Sequence, residues 1–257
     1  MPQGIAPLPD EEYALMGYVG HDVFLDDVNS IEGPQQRFII NAAHRLADAG
    51  WLAEKLDEDV SRHKGPPVVE GLLSLQLYLL LTCADTLGHI DHPHDKPKER
   101  FWGFFLDLPC SAQRTLVDAF QVWRVKQQEL AEMRLADPRT GNVTLPSPEL
   151  IKSVVIDHSA DIRLEAALDF LYRFRRNPYT HEAEYPQLGH HPNLYVLQML
   201  RLGVDSVATA GEYDRTQAVA EGSTYYFVYH GTNDPVASLR RVMLEGLGAI
   251  TRKHLPA

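Results

Sequence analysis

The chain has little cysteine: Cys83 and Cys110 are its only two. That count excludes a disulfide framework and a cysteine-based zinc site, and it fits a reducing compartment. Positive charge is also scarce. Lys and Arg number 24 against 35 Asp and Glu, a formal net charge of −11. A protein coated in basic surface for long nucleic acid is therefore excluded, but one local basic pocket is not. A long hydrophobic run is missing too. The most apolar stretch, 72–83, contains Ser74, Gln76 and Thr82 and is too short to span a bilayer. It reads as a buried helix. The first residues carry no basic segment followed by an apolar one, so no signal peptide is expected. The expected location is cytoplasmic, with no membrane partner. Repeats and low-complexity tracts are absent.

What is present is helical spacing. A hydrophobic share of 44% over 257 residues is enough to bury a sizeable core. Phe38, Ala42, Leu46, Ala49 and Ala53 recur at helical intervals within 35–60. The apolar helix is predicted over 68–87, ended by Gly88 and a loop containing Pro93 and Pro97. A short aromatic helix follows over 98–107. Ser111 is expected to cap a long helix to about residue 135, with Leu116, Phe120, Trp123 and Val125 toward the core. Residues 137–148 are rich in turn formers and break the pattern.

Ser147-Pro148-Glu149 starts a second helical half that runs toward Arg176, with a break near His158-Ser159. Leu164, Leu168, Leu171 and Phe174 form one apolar stripe in it. Another helix is expected over 192–204. Ser223 to Tyr229 is the one convincing strand-like run. A lone strand cannot make a sheet, so it pairs across a dimer or stays irregular. A last helix starts at Asp234-Pro235 and puts Val236, Leu239, Val242, Met243, Leu247 and Ile250 on one face. The expected fold is all-α: a helical bundle with N- and C-terminal extensions and at most one short strand or hairpin. One helical domain over 1–257 is expected.

The segment Arg176-Asn177-Pro178-Tyr179-Thr180-His181 carries the chemistry. An Arg with a His five positions later is expected about once by chance in this composition, and the adjoining Asn reduces that to roughly 0.02. Pro178 disfavours helical geometry at Asn177, so the incoming helix is expected to end near Arg176. Asn is a strong N-cap and Pro suits the first helical position, which puts His181 one turn into a new helix. Free N–H groups and the dipole there favour an anion. Arg176 and His181 then share an orientation toward a phosphate, with Arg173 and Arg175 thickening the positive charge and Tyr179 and Thr180 beside the substrate. His181 suits general acid–base work on a 2′-hydroxyl or a leaving oxygen. Arg176 suits stabilisation of charge on the phosphoryl oxygens. No metal or other cofactor is required. One His cannot easily serve as both acid and base, so a homodimer with two copies of the motif is expected.

Arg176-Asn177-x-x-x-His181, at the end of an amphipathic helix in a helical chain, resembles the HEPN superfamily (higher eukaryotes and prokaryotes nucleotide-binding). The resemblance covers about 35–200, leaving 205–257 as a strand and helix extension. It implies a helical bundle, a homodimer and metal-independent RNA cleavage to a 2′,3′-cyclic phosphate. It also implies toxin, phage-defence or RNA-processing biology, with an antitoxin or regulatory protein as a possible partner. Some members carry an acidic residue on an earlier helix that points at the motif; Asp85 is the candidate here. HEPN toxins silenced by nucleotidyltransferase antitoxins often have Tyr two residues after the His. This chain has Ala183 there, and the next Tyr is Tyr185.

A second cluster competes. His89, Asp91, His92, His94 and Asp95 stand within seven residues, a set able to bind a divalent metal. His21-Asp22, Asp157-His158 and His190-His191 are possible additional ligands. The enzyme alternative is thus an all-α metal-dependent phosphohydrolase. Pro93 and Pro97 make the cluster a loop without the i, i+4 spacing of two His on one helix face. A polar solvated loop, and a non-catalytic nucleotide-binding or scaffold module, are the remaining alternatives.

Overall fold

Pro9 precedes α1 (Asp10–Met16), whose first turn sets Asp10, Glu11 and Glu12 at the positive end of the helix dipole. Gly17 ends it in the left-handed region at φ 82°, which glycine enters without a Cβ penalty. α2 (His21–Ser30) follows. The computed structural model describes residues 7–61, 66–135, 159–176, 216–221, 224–229 and 235–256, with short pieces at 139, 150 and 153–154. The helix expected over 192–204 lies outside these residues.

α3 (Pro34–Ser61) and α4 (Pro66–Asp91) pack along each other. Ile39, Ala42, Ala43, Leu46 and Ala49 of α3 are buried, as are Leu77, Leu80, Leu81, Ala84 and Leu87 of α4. The alanines let the two backbones approach, and the Cys83 thiol reaches the Ala42 carbonyl at 3.8 Å. Arg45 of α3 donates to the Thr82 carbonyl at 2.7 Å and to the Thr86 hydroxyl. Gly88 does not stop α4, which runs on to Asp91. A Cβ at Gly88 would strike the backbone carbonyl of Arg100 on α5 (Pro97–Leu106). Glycine is needed there for the close approach of two helices rather than for a helix end.

Pro97 opens α5, and the Lys96 N–H donates to the Glu99 carboxylate at 3.2 Å. Phe101, Phe104 and Phe105 are buried on it, each contributing about 2–3 kcal/mol of transfer free energy. The long helix expected from Ser111 to about 135 is instead three elements. They are α6 (Cys110–Ala119), β1 (Gln121–Lys126) and α7 (Gln127–Glu132). Leu116, Phe120, Trp123 and Val125 are buried as expected, but the conformation differs. Val122, Trp123 and Val125 are β-branched or aromatic, and they find a strand partner far along the chain.

Ser159 caps α8 (Ala160–Phe170), accepting from the Ile162 N–H at 3.4 Å. The helical path then widens into a π-helix over Leu171–Arg176. Leu164, Leu168 and Leu171 of the expected stripe are buried. β2 (Thr216–Glu221) and β3 (Thr224–Tyr229) complete a three-stranded antiparallel sheet in the order β1-β3-β2. This corrects the expectation of at most one strand or hairpin, and of a strand without an internal partner. β1 pairs with β3 from Gln121↔Tyr229 to Lys126↔Thr224, over about a hundred residues of sequence that no local pattern bridges.

α9 (Pro235–Lys253) buries Val236, Leu239, Val242, Met243, Leu247 and Ile250, the face read from the sequence. It packs against α6, α1, α4 and α3. The terminal segments thus complete the core of the helical bundle, which extends from Leu8 to Ile250. Gly248 of α9 lies against the Met16 carbonyl, too close for any Cβ. No described helix is long and apolar enough to cross a membrane.

Candidate functional site

Among the described residues, Asp169, in the last turn of α8, accepts four side-chain hydrogen bonds. It is only 2% exposed. A carboxylate buried this far must be compensated on both oxygens. Oδ1 accepts from Lys98 Nζ and from Arg173 Nε, each at 2.9 Å. Oδ2 accepts from the Tyr226 hydroxyl at 2.7 Å and from an Arg124 guanidinium N–H at 3.2 Å. Five elements converge here. Lys98 sits at the start of α5, Arg173 lies four residues after Asp169 in the π-helix, and Arg124 and Tyr226 come from the sheet. The register Arg124↔Tyr226 pairs these two directly across β1 and β3, so both project from one face of the sheet over α8.

Burial alone would push Asp169 up. The Tyr226 hydroxyl, Lys98 and Arg173 outweigh it and hold the carboxyl well below the usual carboxylate range. Burial, with the neighbouring Asp169 charge, pushes the Tyr226 phenol up, so it stays protonated and donates. Asp169 is therefore held as the carboxylate, accepting from all four donors. Lys98, Arg124 and Arg173 all pair with Asp169, and their side chains reach solvent at 41%, 38% and 36% respectively. Among the described residues, the cluster brings three cationic side chains together at the surface of a chain of net charge −11. Lys98 also lies 4.8 Å from the centre of the Trp102 ring. By contrast, the cleft between α6 and α8, about 280 Å³, is lined by Arg114 and Arg163 against Asp118 and Asp161 and has no charge excess.

The Arg-Asn-Pro-Tyr-Thr-His segment begins where this cluster ends. Arg176 is the last residue of the π-helix. Asn177, Tyr179, Thr180 and His181 lie outside the described residues, as do the side chains of Arg175 and Arg176. α4 packs against the π-helix, so the element bearing Asp85 touches the element bearing Arg176. Asp85 is half-buried on α4. Arg173, expected beside substrate, is anchored through Nε to Asp169 while part of its side chain stays exposed. π-Helical turns inside α-helices occur frequently at functional sites.

The histidine-rich segment is drawn apart by separate partners. His89 and Asp91 belong to α4, not to a loop. The His89 ring meets the Arg100 guanidinium at 2.9 Å and the Phe38 ring edge-on at 4.8 Å. Asp91 holds Lys253 and His254, each at 2.9 Å. The Lys253 and His254 contacts overcome its burial and lower its pKa. His92 lies between Asp95 at 3.2 Å and Asp107 at 3.0 Å, and His94 is exposed. Among the described residues, no group of three or more His, Cys, Asp or Glu is arranged to hold a metal ion.

Sequence reasoning missed Asp169, Lys98, Arg124 and Tyr226. One signal was available: Asp169 interrupts the apolar run Ala166-Ala167-Leu168-Asp169-Phe170-Leu171, and a charge on a buried helix face needs partners. The partners themselves come from distant elements and left no local mark. No family model, no curated protein and no solved structure matches the chain.

Proposed function

We propose that the chain is a HEPN-like, metal-independent endoribonuclease with Arg176 and His181 at its centre. The observation that carries this reading is the π-helix Leu171–Arg176. It delivers Arg176 at the end of a helical segment that packs on α4, the helix of Asp85. One turn back, Arg173 is tied to the buried Asp169. An arginine that must meet a phosphate in a fixed geometry benefits from such bracing.

In the proposed reaction the ribose 2′-oxygen bonds to phosphorus as the bond to the 5′-oxygen breaks. His181 takes the 2′-proton, and His181 of the partner subunit gives a proton to the leaving 5′-oxygen. Arg176 meets the charge that builds on the phosphoryl oxygens. The product is a 2′,3′-cyclic phosphate, and a homodimer supplies the second motif. A toxin or defence role, held in check by a partner protein, belongs to the same reading. Purified protein is expected to cut single-stranded RNA in EDTA, and His181→Ala and Arg176→Ala to lower the rate by at least about 100-fold. Full cleavage by His181→Ala would reject the assignment.

A second reading, a non-catalytic phosphate-binding module, is favoured by the Lys98/Arg124/Arg173 cluster, whose cationic donors suit an anion. Tight nucleotide binding without turnover would select it. A metal-dependent phosphohydrolase built on His89, Asp91, His92 and His94 has less support, because those side chains are committed to different partners or face solvent.

A further inference from the structure

We propose that Lys98, Arg124 and Arg173, clamped by Asp169 and Tyr226, form a phosphate-binding subsite that takes a backbone phosphodiester of single-stranded RNA, separate from the scissile one. This deepens the nuclease reading and rests on it for the identity of the ligand.

Three features carry it. The first is charge. Among the described residues, Lys98 and Arg124 share the one Asp169 carboxylate, and two like charges at close quarters are relieved by a bound oxyanion. The second is donor capacity. Among the described residues, Lys98 and Arg124 each spend one N–H on Asp169. A lysine has three donors and an arginine five, and both heads reach solvent. The third is preorganisation. Asp169 holds both of its oxygens in four hydrogen bonds, so the long cationic side chains are ordered before a ligand arrives, which lowers the entropy cost of binding.

Position adds to this. Arg173 and Arg176 lie on one π-helix, within a single turn of each other. A strand of RNA crossing the Arg176 end meets the cluster at a neighbouring phosphate. The subsite thus holds the backbone without reading bases, and phosphate contacts of this kind fix register rather than sequence.

The test is binding of a short, fluorescein-labelled single-stranded oligodeoxynucleotide to the full chain, measured by anisotropy across a salt series. The probe lacks the 2′-hydroxyl and cannot be cut. The variants are Lys98→Gln with Arg124→Gln, which leave Arg173 and Tyr226 on Asp169, and Arg124→Lys as the conservative control. The double variant is expected to bind at least tenfold more weakly. Its slope of log K on log salt is expected to fall by about 0.7, the amount that one phosphate contact in a single strand accounts for. Arg124→Lys is expected to keep the slope. A structural role alone moves the melting temperature and not the salt slope of the folded protein.

An unchanged affinity and slope in the double variant overturn the subsite, as does failure of the wild-type chain to bind the probe. Binding of AMP through the same two residues without binding of the oligonucleotide overturns the backbone assignment. The nuclease reading fails separately. A chain that binds the probe through Lys98 and Arg124 but never cuts RNA supports the subsite and rejects the nuclease. A chain that cuts RNA with the salt slope unmoved does the reverse.

Discussion

Asp169 sets two properties at once, the order of the cationic cluster and the acid sensitivity of the fold. Its folded pKa is depressed, so its contribution to stability is present above the unfolded value of about 3.9 and is lost as pH falls through the folded value. The wild-type chain is therefore expected to lose stability as pH drops below about 4, while Asp169→Asn shows a flatter profile there. At neutral pH the substitution is expected to cost about 2 kcal/mol. That is less than a fully buried pair, because the cations reach solvent. Urea denaturation at several pH values measures both effects; parallel profiles would remove Asp169 from the account. The two thiols behave differently. Burial pushes the Cys83 thiol up to about 12 despite Arg45 and Arg240, whereas Cys110 is exposed. Native protein is expected to react with one equivalent of maleimide and denatured protein with two, read by intact mass.

Elements meet at glycines. Gly88 lets α4 touch the backbone of α5 at Arg100, and Gly248 lets α9 touch α1 at Met16. Backbone cannot rotate aside as a side chain can, so a methyl at either place separates two helices. Gly88→Ala and Gly248→Ala are each expected to destabilise by about 1–3 kcal/mol, seen as a lower midpoint in urea. A gain in stability, as helix propensity alone predicts, would contradict the packing reading. The same scale explains which elements the sequence disclosed. The α9 face was legible because six apolar residues repeat at helical spacing and all six are buried. β1 was not. Gln121-Val122-Trp123-Arg124-Val125-Lys126 is short and directly follows a helix, and its strand partner lies about a hundred residues on. Helical spacing at Leu116 and Phe120 extended the pattern over residues that only the sheet could claim.

At the scale of the molecule, α9 closes the bundle by holding the N-terminal region. Arg240 donates from Nε to Glu12 Oε1 at 2.8 Å, from a terminal nitrogen to Oε2 at 2.6 Å, and to the Leu46 carbonyl. One side chain thus joins α1, α3 and α9. Arg252 adds a second tie, donating to the Met16 carbonyl and lying 5.7 Å from the Tyr18 ring centre. Arg240→Ala leaves Glu12 without its partner in a largely buried place. It is expected to cost about 3 kcal/mol, or roughly 6–12 °C in Tm at this chain length. A change under about 1 kcal/mol by thermal melting would show the tie to be incidental.

The sequence by itself determined the helical character, the apolar faces of most helices and the Arg176/His181 spacing. These are local properties, written in residues three to five positions apart. Tertiary structure decided the rest. It bound β1 to β3, moved Gly88 from a helix end to a helix crossing, and dispersed His89, Asp91 and His92 among Arg100, Lys253 and Asp107. Above all it gathered Lys98, Arg124, Arg173 and Tyr226 around Asp169. The physical reason is that a buried charge states a need without naming who meets it. Only the packing of five elements brings the donors from as far as 71 residues before it and 57 after it.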